Sequence, residues 1–182
     1  MVVTMQKVYE MMGLPGSGKT TWAEKKAKET GAIIISRDDI RHMLRHSYDY
    51  DSSERSQNYV LNVSQHMIKQ ALIAGFDIIL DQLSLTKEQR ERTLRFIRYH
   101  TAEVHITLVW CSEDKLNVDR RMNSEMAWGD RGYYEELIST LKSQIEEPTY
   151  DENFDEIIRI PGEKEQTKLK VCRPDKEPLI GM

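Results

Sequence analysis

The stretch Gly13-Leu14-Pro15-Gly16-Ser17-Gly18-Lys19-Thr20 decides how the rest of the chain is interpreted. Its glycines let the backbone curl, so that successive N–H groups point at a single anion. A helix is predicted from Lys19 to Thr30, with Gly31 as its stop, and the positive end of that helix adds to the attraction. The stretch therefore predicts a binding site for a chain of phosphates.

The spacing from Gly13 to Gly18, followed by Lys19 and Thr20, is that of the P-loop motif. The motif also has the context it requires, because residues 7–12 before it predict a short strand. We expect Lys19 to reach the β- and γ-phosphates of ATP and the Thr20 hydroxyl to bind Mg²⁺. A chance glycine turn ahead of a helix is the alternative. The loop residues predicted to bind the nucleotide are Gly13, Pro15, Gly16, Ser17, Gly18, Lys19 and Thr20.

Length and composition predict one soluble globular domain. A chain of 182 residues suits a single core, and 39% hydrophobic with 31% charged residues excludes a disordered chain. No apolar run approaches the roughly 20 residues of a membrane helix. No secretion signal is visible and two cysteines imply no disulfide framework, so we expect a cytoplasmic location. The net charge of −4 argues against broad binding to nucleic acid but allows a local basic groove.

Strand and helix patterns alternate along the chain, which predicts an α/β fold: a parallel sheet with helices on both faces. Glu10 is unusual for a strand buried on both faces. Residues 1–160 are expected to form the domain, and 161–182 a loose polar tail. The predicted strands are 7–12, 32–35, 77–81, 104–110 and 155–160. The predicted helices are 19–30, one from about 40, 54–74, one from Thr86 to about 100, one from Ser112 to about 126, and 133–147.

Ligands in such a sheet bind beyond the carboxyl ends of the strands, where the glycine loop, Asp38 and Asp81 are expected to meet. There Asp38 could accept a proton from an acceptor hydroxyl, and Arg41 could clamp a phosphate or carboxylate of the acceptor. A capped helix with a surface ion pair from Asp38 or Asp39 to Arg41 is the alternative. Asp81 closes a hydrophobic strand and is predicted to hold Mg²⁺ or its water shell, with a helix or turn cap as the alternative.

An arginine-rich segment, residues 120–132, is predicted to form a helical lid over the site. A lid arginine would neutralise charge on the transferred phosphoryl group, and the lid would exclude water. Arg121 and Arg131 are the candidates for that role. A solvated helix end, where scattered arginines are common, is the other interpretation.

Three segments together resemble the 5′-hydroxyl polynucleotide kinase domain of phage type, within the wider group of small P-loop kinases. They are Gly-Leu-Pro-Gly-Ser-Gly-Lys-Thr-Thr-Trp-Ala at 13–23, Ser-Arg-Asp-Asp-Ile-Arg at 36–41, and a strand ending in Asp81. The resemblance runs over about 7–160. It implies that Thr21 joins the phosphate cradle and that Asp38 is the general base for an acceptor 5′-hydroxyl. It also implies that Arg41 contacts the acceptor's phosphate and that a lid arginine touches the ATP phosphates.

Two segments depart from the family pattern. After the strand acid the family usually carries Thr-Asn, whereas this chain has Gln82-Leu83-Ser84. The family's compact Arg-Asn and Arg-Gly lid pattern is here spread over Arg121-Met122-Asn123 and Arg131-Gly132. The first departure leaves the acceptor open, and the second leaves open which lid arginine acts.

The expected function is a magnesium-dependent kinase that moves the γ-phosphate of ATP to a hydroxyl. The expected partner is a nucleic acid 5′ end or another hydroxyl-bearing acceptor. A kinase for a nucleoside, small metabolite or modified DNA base is one alternative. A nucleotide-binding switch that transfers nothing is a second, although a switch needs no acceptor base.

Overall fold

The computed structural model describes residues 5–45, 53–112, 117–123, 130–161 and 170–172. Among them, six strands form one sheet in the order β2-β3-β1-β4-β5-β6. The strands are β1 Gln6–Met12, β2 Ile33–Ser36, β3 Ile78–Asp81, β4 Val104–Cys111, β5 Glu156–Ile160 and β6 Lys170–Cys172.

Helices connect successive strands of this sheet. In the described ranges they are α1 Lys19–Thr30, α2 Arg37–Arg45, α3 Glu54–Ile73, α4 Lys87–His100, α5 Asn117–Met122, α6 Arg131–Lys142 and a 3₁₀ helix at Tyr150–Glu152. None of these helices combines the length and the apolar character needed to span a bilayer.

The sheet confirms the predicted α/β fold. Strands β1 to β5 are all parallel, with β1 in the middle between β3 and β4. Their carboxyl ends therefore lie along one edge, and the segment after β1 leaves that edge at its centre. The predicted strand positions agree with the observed ones to within a residue or so.

The two faces of the sheet bury separate hydrophobic clusters, because side chains alternate along each strand. Val8 and Met12 of β1 pack with residues of α3 and α4. Tyr9 and Met11 point the other way and pack with Ala23 of α1. Helices on both faces were predicted, and the apolar runs in β3 and β4 are long because both faces of those strands are covered.

Local sequence signals fix several helix ends as predicted. Gly31 ends α1 with a φ of +76° and an N–H bonded to the Ala27 carbonyl. Thr86 and Gln89 form the expected capping box at the start of α4. Such ends are readable because the capping groups lie within a few residues of each other.

Helix α6 corrects one prediction, since it covers Arg131–Lys142 rather than 133–147. It begins earlier because the Asp130 side chain accepts from the Tyr133 N–H. It ends earlier because the Glu146 N–H donates to the Leu85 carbonyl and Ile145 packs against the core. The cap at Asp130 is local, whereas the contacts at the other end come from distant parts of the chain, so the helical pattern alone placed that end too late.

Strand β6 lies within 161–182, the segment predicted to form a polar tail, of which the structure describes only residues 161 and 170–172. It pairs antiparallel with β5, with Ile157 opposite Val171. The outer edge of β5 carries backbone groups that need partners, and β6 satisfies them. The helix predicted from Ser112 falls partly on 113–116 and 124–129, which lie outside the described residues; between them α5 is helical.

A buried ion pair ties α4 to the 3₁₀ helix. The Arg90 guanidinium donates to both carboxylate oxygens of Glu152, at 2.6 and 2.8 Å, and both side chains are 0% exposed. Arg90 also donates to the Ser84 and Leu85 carbonyls. The guanidinium is therefore fully engaged, which a buried charge requires.

Replacing Arg90 by Met should lower the free energy of unfolding by about 3–5 kcal/mol, because the Glu152 carboxylate would stay buried without its partner. Denaturant titration measures this. Arg92→Met on the same helix is the matched control: its pair with Glu88 is exposed, so we expect a change within about 0.5 kcal/mol. Equal losses in the two variants would contradict the assignment.

Candidate active site

The glycine loop has the backbone that anion binding requires. Gly13, Gly16 and Gly18 have φ values of +147°, +75° and +91°, which favour glycine. Gly18 is the N-cap of α1 and brings no side chain to that position. The N-cap therefore offers no side-chain acceptor to the first N–H groups of α1, which can bind a phosphate.

Lys19 lies within this loop and is buried. Its ammonium donates to the Leu14 carbonyl at 2.8 Å. Burial lowers the pKa of Lys19, while the negative charges of Asp81 and, more weakly, Asp38 act in the opposite direction. The lysine and the two acids predicted from separate segments are thus close enough to interact.

The Thr20 hydroxyl donates to Asp81 Oδ2 at 2.7 Å. Burial raises the pKa of Asp81, against the opposing effects of Lys19 and the Thr20 hydrogen bond. A hydroxyl and a carboxylate side by side next to a phosphate loop are the oxygen ligands that Mg²⁺ takes together with nucleotide phosphates. In the described ranges no group of three or more His, Cys, Asp or Glu side chains could hold a metal alone. The Thr20 hydroxyl and the Asp81 carboxylate fit Mg²⁺ that is bound together with a nucleotide.

Asp38 lies in the first turn of α2, beyond the end of β2. Its Oδ1 accepts from Arg41 Nη1 at 2.7 Å, and its Oδ2 is 3.9 Å from Arg121 Nη2. The second Arg41 nitrogen, Nη2, donates to Gln57 Oε1 at 3.0 Å. The Arg41 side chain is 13% exposed and that of Asp38 is 46% exposed. The carboxylate is thus held between two guanidinium groups and still reaches solvent.

The structure separates the two candidate lid arginines. Arg121 approaches Asp38, and its charge also acts on Lys19. Arg131 instead pairs with Asp119 of α5 and lies 3.5 Å from Glu135 of α6. The contacts that Arg131 makes therefore join α5 to α6, while residues 124–129 of the predicted lid lie outside the described residues.

Sequence reasoning missed two sets of residues around this site. Gln57 of α3 holds Arg41 from 16 positions away, and no local pattern marks it. Gln82 and Ser84 bond the buried Glu10. Here a signal existed, because Glu10 is unusual in a buried strand and the segment 82–84 departs from the family pattern.

Two cavities lie on either side of β1 in the sheet order. The first, of ≈ 750 Å³, lies between α2 and α3, and its lining includes Arg41, Leu44, Arg45, Arg55 and Tyr59. The second, of ≈ 360 Å³, is bounded by Gly13 and Leu14 and by residues at the ends of β4 and β5. In the second cavity the Arg159 guanidinium lies 4.7 Å from the centre of the Trp110 ring.

The fold and this site define a P-loop nucleotide-binding protein with the kinase-like arrangement of strands and helices. A family model described as an AAA domain matches residues 8–126. The match covers more than half of the chain, and the chain belongs to that family. This family is broader than the polynucleotide kinases that the sequence resembles.

Solved structures agree on the fold. The chain is similar to one in the Pnkp1/Rnl/Hen1 RNA repair complex, with a TM-score of 0.62 and 19% identity over 77% of this chain and 45% of that chain. It is similar to a Mycobacterium tuberculosis APS kinase in complex with AMPPNP and APS, with a TM-score of 0.56 and 22% identity over 88% and 91% of the two chains. A putative kinase from Chloroflexus aurantiacus gives a TM-score of 0.65 with 15% identity over 87% and 89%.

At these identities the likeness concerns the fold alone. The chain spans less than half the length of the RNA repair protein that it matches. The proteins it is similar to include a sugar kinase from Janibacter sp. HTCC2649 and a gluconokinase from Sinorhizobium meliloti 1021. The neighbours therefore differ in what they act on, and their shared fold does not identify an acceptor.

Gly13→Ala should abolish nucleotide binding. An added Cβ would lie 2.7 Å from the Cys111 carbonyl oxygen and from Ser17 Oγ, at a φ of +147°, so the loop would have to move. Isothermal titration with Mg²⁺ and ADP measures this. Gly75→Ala is the matched control: its φ is +78° but its Cβ would meet nothing within 4 Å. It should cost about 1 kcal/mol of stability and leave affinity unchanged. Unaltered affinity in Gly13→Ala would contradict this account of the loop.

Proposed function

We propose that this protein transfers the γ-phosphate of ATP to a hydroxyl, with the 5′-hydroxyl end of a nucleic acid as the acceptor. One observation carries the proposal: the Asp38 carboxylate lies between Arg41 and Arg121, and Arg41 also lines an arginine-rich cavity. A nucleotide-binding switch has no use for such a base. The cytoplasmic location stays part of the proposal.

The phosphate loop would bind the donor. The amides at the start of α1 and the Lys19 ammonium would bind the phosphates, and Thr21 would complete the cradle. Lys19 needs only to leave the Leu14 carbonyl, because its stem is already buried against the loop. Thr20 and Asp81 would hold Mg²⁺, which neutralises charge on the phosphates when it is bound with ATP.

Asp38 would accept the proton of the acceptor hydroxyl while the hydroxyl oxygen bonds to the γ-phosphorus. The bond from that phosphorus to the β-phosphate oxygen breaks, and ADP leaves with the electron pair. Arg41 would bind the acceptor's phosphate. This contact would draw the guanidinium away from Asp38 Oδ1 and expose that oxygen to the hydroxyl. Arg121 would neutralise the transferred phosphoryl group, while Arg131 would position the lid through Asp119.

The cavity between α2 and α3 suits a polyanion. Arg41, Arg45 and Arg55 bring three positive charges to it in a chain whose net charge is −4. Tyr59, at the same wall, is 58% exposed and offers a ring face on which a base can stack. Phosphate contacts and stacking are the two interactions by which single strands are bound without regard to sequence.

The smaller cavity suits the nucleoside part of ATP. It opens beside Gly13 and Leu14 on the β4 and β5 side, away from the acceptor cavity in the sheet order. Trp110 and Arg159 supply a stacked aromatic and guanidinium pair there. The donor would therefore extend to one side of the phosphate loop and the acceptor to the other.

An acceptor screen with γ-labelled ATP and Mg²⁺ tests the proposal. The acceptors are 5′-hydroxyl DNA and RNA oligonucleotides, nucleosides, small sugars and base-modified DNA. Label on oligonucleotide 5′ ends is the expected result. Label on a nucleoside, sugar or modified base would replace the acceptor and keep the kinase. Bound ATP with no label on any acceptor would favour the switch.

Asp38→Asn should lower kcat by about 10² to 10⁴-fold, the usual contribution of a general base, while leaving affinity for Mg²⁺ and ADP near that of the wild type. Initial rates on the acceptor found in the screen measure the first, and titration the second. Asp39→Asn is the matched control, since Asp39 is the next residue of the same helix and its backbone N–H donates to Ser36 Oγ. Asp38→Asn activity above about a tenth of the wild-type value would contradict the assignment.

Arg55→Ala should raise the KM for an oligonucleotide acceptor and reduce the slope of log KM against log salt by about one, because one phosphate contact is lost. The KM for ATP should not change. Arg95→Ala, an exposed arginine of α4 outside the cavity lining, is the control. An unchanged oligonucleotide KM and salt slope in Arg55→Ala would remove the cavity from the acceptor site.

A further inference from the structure

A carboxylate lies in the middle of the sheet. Glu10 of β1 is 0% exposed, and its neighbours in register are Leu80 of β3 and Leu108 of β4. Alternation along β1 places it with Val8 and Met12 on the face covered by α3 and α4. Burying a charged group at such a position costs free energy. An apolar residue in its place would pack against the neighbouring strands without that cost.

One oxygen of this carboxylate holds both ends of a short segment. Glu10 Oε1 accepts from Ser84 Oγ at 2.6 Å and from Gln82 Nε2 at 3.0 Å. Glu10 Oε2 is buried and, in the part of the chain that the structure describes, has no hydrogen-bond partner. A single oxygen atom of Glu10 thus bonds the residues on both sides of Leu83.

The middle residue of that segment holds the phosphate loop. The Leu83 carbonyl accepts from the N–H of Gly13, the first residue of the loop, at 3.0 Å. Ser84 has a φ of +45°, unusual for a residue with a side chain. Arg90 Nη1 donates to its carbonyl at 3.2 Å. The bonds from Gln82 and Ser84 to Glu10 are therefore among the contacts that hold the Leu83 carbonyl toward Gly13.

We propose that Glu10 is a positioning residue for the phosphate loop, acting through the segment 82–84, and that its ionised form holds the loop more firmly than its neutral form. The inference rests on the proposed function only in that the loop binds a nucleotide. A carboxylate oxygen is the stronger acceptor because hydrogen bonds to charged groups exceed those to neutral ones.

The pKa of Glu10 lies near neutral pH. Burial raises its pKa from 4.5 to about 7, against the bonds from Ser84 and Gln82 and the positive charge of Arg90. Arg90, on α4, is paired with Glu152, which limits its effect. The other groups that face Glu10 are uncharged: Thr93 of α4 and the leucines of the neighbouring strands.

Stability and nucleotide affinity should therefore respond to pH in opposite directions. The folded pKa of Glu10 lies above its ordinary value, so the folded state binds the proton more tightly than the unfolded state. The stability that this group contributes is complete below about pH 4.5 and is lost as pH rises through about 7. The positioning effect increases over the same rise.

Glu10→Gln tests this, because the amide keeps the shape and the acceptor oxygen but never ionises. Affinity for Mg²⁺ and ADP is measured at pH 6 and pH 8 for both proteins, so that titration of the nucleotide cancels in the comparison. From pH 6 to pH 8 the wild type should gain about five-fold more affinity than the variant. Its melting temperature should fall relative to that of the variant over the same range.

Two further variants separate positioning from general stability. Ser84→Ala removes one donor and should weaken nucleotide binding at pH 8 with Glu10 intact. Thr107→Val replaces a buried polar residue on the other face of the sheet. It should alter the melting temperature without altering how affinity depends on pH.

Equal pH dependence of affinity in wild type and Glu10→Gln would overturn the inference, as would Ser84→Ala with unchanged affinity if Glu10→Gln does not fold. A wild type that binds no nucleotide at either pH would overturn it together with the proposed function. Nucleotide binding with the expected pH dependence but no transfer to any acceptor would overturn the phosphotransfer proposal alone.

Discussion

The close approach of Gly13 to the end of β4 is the constraint on which the site depends. Only a residue without a side chain fits between the Cys111 carbonyl and Ser17 Oγ, and its N–H is directed at the Leu83 carbonyl. The loop that follows can then turn its amides inward and start α1 with no competing acceptor. Lys19 and Thr20 lie next to the loop because they belong to the first turn of that helix.

The sequence predicted the parts of the site that rest on local pattern and on the geometry of parallel sheets. The spacing of the loop, the acids after β2 and β3 and the capping box of α4 all lie within short windows. Because parallel strands end at one edge, separate windows could be placed together: Ser36 and Asp81 are partners in register. What remained unpredicted depends on distant contacts, such as Gln57 with Arg41 or Arg90 with Glu152, 62 positions apart. The choice between Arg121 and Arg131, the end of α6 and strand β6 are of the same kind.

Two irregularities of the sequence belong to one feature of the structure. Glu10 is unexpected in a buried strand, and Gln82-Leu83-Ser84 departs from the family's Thr-Asn. The two segments are bonded to each other, because the buried carboxylate needs hydrogen-bond donors and Gln82 and Ser84 provide them. The departure therefore says less about the acceptor than it does from sequence alone, because its polar side chains point at β1. The proposed acceptor site lies on the other side of Asp38, along α2 and α3.

The ion pair between Asp38 and Arg41 bears on which acceptors can be used. While Arg41 donates to Oδ1, that oxygen is not open to an incoming alcohol. In the proposed reaction, an acceptor with a phosphate near its hydroxyl would compete for the guanidinium and would free the oxygen that accepts the proton. A neutral nucleoside or sugar has no group of comparable strength, since charge-assisted bonds to a guanidinium are about twice as strong as neutral ones. Under the proposed function, the ion pair of Asp38 with Arg41 would be the state without acceptor, and the phosphate of a nucleic acid end would convert it into the catalytic state.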